Sequence, residues 1–140
     1  ENKEQSEPAP DEKQLREDAM NLREQLEVAY SVYAQEQRLV LGDAAGAEAP
    51  MDAARAKQYQ ELNELAAKIS GVIDQELVIE QQERTILEKR IAEADQVLPT
   101  VTSKAMQQDI ETEKSRIGER LNNLATRHDF LSKEKERFSV

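Results

Sequence analysis

Ile110, Ile117, Leu124, Leu131 and Phe138 recur every seven residues without a miss. Large apolar side chains at that spacing fit an α-helix that lays one stripe along a neighbouring helix. A strand would need period two. Leu121 adds a flanking contact, but Lys114, His128 and Lys135 hold the other equivalents of its position, so the second stripe is mixed. A helix is therefore expected over residues 103–137.

The same reading extends upstream. Leu15, Ala19, Leu22, Leu26, Ala29 and Tyr33 alternate steps of four and three, a heptad seam on a helix expected over residues 11–41. Asp11 can cap that helix after Pro10, and Gly42 ends it. A long helix follows over residues 51–98. Its apolar face runs through Tyr59, Leu62, Leu65, Ala66, Ile69, Val72, Ile73, Leu77 and Ile79, then Ile86, Leu87, Ile91, Ala94 and Leu98. Gly71 lies in the densest apolar part, where close approach of another helix or a bend would account for it. Glu76, Glu80 and Glu83 interrupt the face just afterwards, and packing is expected to loosen there.

Residues 1–10 hold two prolines and no apolar pattern, and read as a disordered acidic lead to a single helical domain over 11–140. The segment from Gly42 to Pro50 reads as a flexible connector. Pro99 stops the long helix, and Thr100, Thr102 or Ser103 can cap the next. Two hairpins of unequal arms then fold into an elongated, antiparallel three-helix bundle, all-α and stitched by coiled-coil hairpins. Counting back from the turns places Leu15 near residue 77 and Phe138 near residue 63. All three helices would overlap only around residues 62–79, leaving two-helix projections at both ends.

Composition narrows the chemistry. Acids outnumber bases 29 to 19, for a net charge of −10. That argues against nucleic acid or anionic lipid as partner, because neutralising phosphate takes clustered Lys and Arg. There is no cysteine and one histidine, which removes thiolate metal sites, disulfides and His-pair mechanisms. No apolar run reaches the length of a membrane span, so direct membrane insertion by this segment is not expected. The chain does not begin with Met. An exported envelope location, with the polar lead as spacer to a leader or anchor, is favoured over a cytoplasmic one.

Candidate chemistry is sparse. The carboxylates of Glu76, Glu80 and Glu83 share a helix face and could hold a cation, but no Glu-x-x-His pair accompanies them. Solvated helix charge, paired with Arg84 and Lys89 or their neighbours, is the expectation, and no metal ligand or cofactor is assigned. His128 is expected as a hydrogen-bonded structural residue in the three-helix overlap, with a pH switch as the sharper reading. Tyr30, Tyr33 and Tyr59 could cluster near the first hairpin, as helix packing or as a ligand pocket. No phosphate loop or nucleophile turn is present, so no catalytic residue is named and an enzyme is not expected.

The tip of the second hairpin is the most informative feature. Val97, Leu98 and Val101 are apolar where a turn is usually polar. With Met106, Ile110 and Ile117 along the arm, they are the expected partner-binding residues. The expected function is a non-enzymatic coiled-coil scaffold or adaptor that binds a protein partner, or a second copy of itself, through helix seams and this tip. The alternative is a ligand-sensing helical domain of an exported or membrane-anchored receptor.

Overall fold

The computed structural model describes residues 12–42 and 53–139. The lead over 1–10, the cap at Asp11, the connector beyond Gly42 and the first residues expected in the second helix lie outside the described residues. Three α-helices make the fold: α1 (Glu12–Gly42), α2 (Ala53–Val97) and α3 (Lys104–Phe138). A 3-10 turn, Leu98–Thr100, separates the last two. The chain is an all-α, antiparallel three-helix bundle, with no strand among the described residues.

The local chemistry of the turn follows from its residues. Pro99 sits inside the 3-10 turn, where its missing N–H costs nothing. The Thr100 hydroxyl donates to the Val97 carbonyl at 2.6 Å and satisfies one of the acceptors left at the end of α2. Of the three candidate caps, Ser103 opens α3: its Oγ accepts the Met106 N–H at 3.3 Å. Lys135 and Arg137 in the last turn of α3 face the negative end of the helix dipole.

Burial follows the heptads. On α1, Leu15, Ala19, Leu22, Leu26 and Ala29 are buried and Tyr33 is half-buried. On α3, Ile117, Leu124, Leu131 and Phe138 are buried and Ile110 is half-buried. The buried series on α2 differs from the expected face. Beside Val72, which is also buried, it runs Leu62, Ala66, Ile69, Ile73, Glu76, Glu80, Glu83 and Leu87 in alternating steps of four and three. The three glutamates do not interrupt this seam; they belong to it.

The chain clusters into two compact units, Glu1–Ala19 with Leu77–Phe130 and Met20–Glu76 with Leu131–Val140. In the first, Leu87, Ile117 and Leu124 form a core against which Ile91 and Leu121 pack. In the second, Leu26, Ile69, Ile73 and Leu131 are almost wholly buried. Tyr30 and Tyr33 close around Phe138, with ring centroids 5.6 and 5.1 Å away. The tyrosine cluster is thus built on α3, and Tyr59 is not in it: Tyr59 lies 5.8 Å beneath the Arg55 guanidinium.

The register of α1 on α2 also departs from the count. Glu12 meets Arg90 and Arg16 meets Glu83, so Leu15 lies between these pairs and not near residue 77. The shift is about one heptad. The pairs Glu12–Arg90 and Arg16–Glu83 set the register, and a count from the turn does not include them. Three-helix contact consequently reaches Arg90, which binds both Glu12 and Glu113, well past the expected limit of residue 79.

Gly71 is not a site of close helix approach. A Cβ built there meets nothing within 4 Å, the same holds at Gly118, and both have ordinary negative φ within continuous helices. Gly71→Ala and Gly118→Ala should each stabilise the fold by about 0.5–1 kcal/mol, read as a raised midpoint in urea unfolding.

Candidate functional site

Glu83 is fully buried, and its partners come from both other helices. Arg16 of α1 donates from Nε to Oε2 at 2.9 Å. Arg120 of α3 donates from Nε to Oε2 at 2.7 Å and from Nη2 to Oε1 at 2.8 Å, a bidentate fork. The guanidiniums remain partly solvated at 44% and 24% exposure, while the carboxylate is sealed at 1%. One turn of the heptad further on, Arg90 does the reverse, reaching Glu12 on α1 and Glu113 on α3. In the second unit Glu76 is fully buried and accepts from Arg23 Nε at 3.0 Å.

These contacts overturn the expectation of solvated helix charge. Arg84, the expected partner, pairs with Glu88 at 3.2 Å on the surface instead. The physical reason is spacing: Glu76 and Glu83 are seven apart, as are Arg16 and Arg23 on the antiparallel partner helix, so each carboxylate meets one guanidinium of α1. On α3 the charged series Glu113, Arg120, Arg127 and Glu134 also recurs every seven, beside the apolar stripe. Arginine forks occupy Glu83 and Arg23 binds Glu76. No group of three or more His, Cys, Asp or Glu side chains is arranged to hold a metal ion among the described residues.

Burial alone pushes the Glu83 carboxyl up, because the charged form loses water. The hydrogen bonds and positive charge of Arg120, then Arg16, outweigh it and hold the group below the ordinary 4.5. Lys114, near the surface, is raised above 10.5 chiefly by its hydrogen bond to Asp95.

The tip presents a different chemistry. Val97 and Met106 are 48% and 56% exposed, and Leu98, Val101 and Ile110 are half-buried. Gln107 Nε2 donates to the Val101 carbonyl at 2.7 Å and ties the turn to α3. Ile117 lies elsewhere: it is buried with Leu87 and Leu124 and has no surface to offer a partner. Its place in the unbroken stripe, read as a docking arm, is core instead. A shallow groove of about 350 Å³ runs beside the tip, lined by Glu93, Ala94, Val97, Asp109, Ile110 and Glu113.

His128 departs from its expected place, and Tyr30 follows the packing reading. His128 is exposed, 3.8 Å from the Asp129 carboxylate, and is neither buried nor held in a helix interface. Tyr30 is tied to packing, its hydroxyl donating to Glu134 Oε1 at 2.7 Å beside Phe138. In the second unit a separate groove of about 540 Å³ lies between α1 and α2, with Val28, Val32 and Leu65 on its floor and Glu24 and Lys68 on its rim. No helix is long and apolar enough to cross a membrane among the described residues. Neither a family model, nor a curated protein, nor a solved structure matches the chain.

Folding lowers the Glu83 pKa, so its contribution to stability is complete above the unfolded-state value and is lost as pH falls through the folded-state one. Stability should therefore decline on acidification below about pH 4.5. Glu83→Gln should cost about 2 kcal/mol at pH 7, since it strands two partly solvated guanidiniums, and should flatten the acid decline. Urea midpoints at pH 3 and pH 7 for the two proteins decide it; equal pH dependence would exclude Glu83 as its source.

Proposed function

We propose that this chain is a non-enzymatic helical scaffold or adaptor that binds protein partners, or its own copies, through coiled-coil seams and the hairpin tip around residues 97–101. The observation that carries the reading is the exposure of Val97 and Met106 on either side of a turn already tied down by its own hydrogen bonds. Apolar side chains on a fixed turn lose little conformational entropy when a partner covers them. The interior supports the reading indirectly, because arginines already bind the buried Glu76 and Glu83 carboxylates. The tip surface is Val97, Leu98, Val101, Met106 and the half-buried Ile110.

A second reading, a ligand-sensing helical domain of an exported or membrane-anchored receptor, draws on the groove between α1 and α2. Its apolar floor and polar rim suit a small amphipathic molecule. Val28 and Val32 on this groove are exposed, so it is not the enclosed pocket that buries most of a small ligand, which favours the adaptor reading over this one.

A photo-crosslinking side chain placed at Val97 or Met106 should give a discrete protein adduct in the native cell, and one placed at exposed Glu61 should not. Equal labelling from all three positions would count against the tip.

A further inference from the structure

We infer that the tip groove accepts a basic amphipathic segment, a short helix or strand whose apolar side chains are flanked by Lys or Arg. The inference rests on the tip-docking reading above and adds the chemistry of the occupant. Its basis is the charge frame around the apolar surface. Between Ile91 and Glu113 the chain carries five acids, Glu93, Asp95, Asp109, Glu111 and Glu113, and one base, Lys104. Asp95 is ion-paired with Lys114, and Glu113 with Arg90. Glu93, Asp109 and Glu111 are exposed, and the first two stand on the groove itself.

The floor is Ala94, Val97 and Ile110, and Met106 lies exposed on the same helix as Ile110, one turn before it. Val97 and Ile110 are β-branched and give the floor a fixed shape, while the unbranched Met106 can adjust to what lies on it. Carboxylates on both walls then decide the sign. A cationic segment gains charge pairs at the rim as its apolar face enters the groove, while an acidic one meets repulsion on two sides. Apolar anchors at helical spacing in a groove of one sign are the ordinary means of recognising such segments. The net charge of −10 draws cations to the whole surface, so the inference concerns placement: the tip frame, not the general field, sets affinity.

The test uses the full chain and two labelled peptides of matched length, an amphipathic Leu/Lys helix and its Leu/Glu counterpart, followed by fluorescence anisotropy. The Leu/Lys peptide should bind and weaken with added salt, and the Leu/Glu peptide should not bind. Glu93→Lys with Asp109→Lys should weaken it about tenfold or more, whereas the matched charge change Glu61→Lys with Glu64→Lys should leave it within about twofold. Val97→Ser with Met106→Ser should also weaken it. All four charge positions are exposed, so these variants keep the fold. Equal loss from both charge variants would reduce the effect to general attraction and overturn the inference. Preference for the Leu/Glu peptide would overturn the sign of the partner while leaving a docking tip. Binding indifferent to Val97 and Met106, or absent for both peptides, would overturn the inference; the adducts from Val97 and Met106 would then judge the tip independently.

Discussion

A carboxylate with almost no water around it has to be held by positive charge, and Glu83 is held from two directions at once. A glutamate at that depth without partners would be expensive enough to take up a proton or to unfold its surroundings. Arg16 and Arg120 remove that cost, and in doing so they fix which residue of α1 and which residue of α3 lie across from α2. Apolar stripes tolerate a slip of one heptad with little loss, since leucine replaces leucine. A set of charges that includes Arg90 between Glu12 and Glu113 pairs completely at one offset, and a slip sets like charges together.

The Arg90 node repeats the device with the signs exchanged, binding acids on both neighbours. A slide by one heptad along α2 would, in one direction, bring Glu83 to the acids that Arg90 now binds and, in the other, bring Arg90 to the arginines of Glu83. Replacing such nodes by well-packed apolar residues would often raise stability, so their contribution is better understood as choice of register. Register in turn decides what stays uncovered. With α1 reaching as far as Arg90, the seam through Leu87 and Ile117 is enclosed, while Val97 and Met106 at the tip stay exposed.

Much of this was legible beforehand. Heptad spacing located all three helices, the stop at Pro99 and the cap at Ser103 follow from residue type, and the stripe from Ile117 to Phe138 is the buried face of α3. The glutamates were misread because hydrophobicity alone breaks the α2 seam at Ile73. The seven-residue match between Arg16 and Arg23 and between Glu76 and Glu83 was present in the sequence, and pairing charges across antiparallel helices would have found it. Ile117 was misplaced for a related reason: its burial depends on how far α1 extends along the other two helices, which a turn-based count sets about one heptad short. His128 lies on the mixed stripe beside the buried one and is exposed there. The tip stands where turn chemistry puts it, but its exposure emerges only once the enclosed seam is known.

The most direct test of this account is a double-mutant cycle on Glu83 and Arg120, using Glu83→Gln, Arg120→Gln and the pair, with unfolding free energies measured in urea at pH 7. The account predicts a coupling energy of about 1.5–3 kcal/mol, the range for a charge pair with one partner desolvated. Coupling below about 0.5 kcal/mol, the level at which independent sites simply add, would contradict it and leave the apolar stripes alone to set the register.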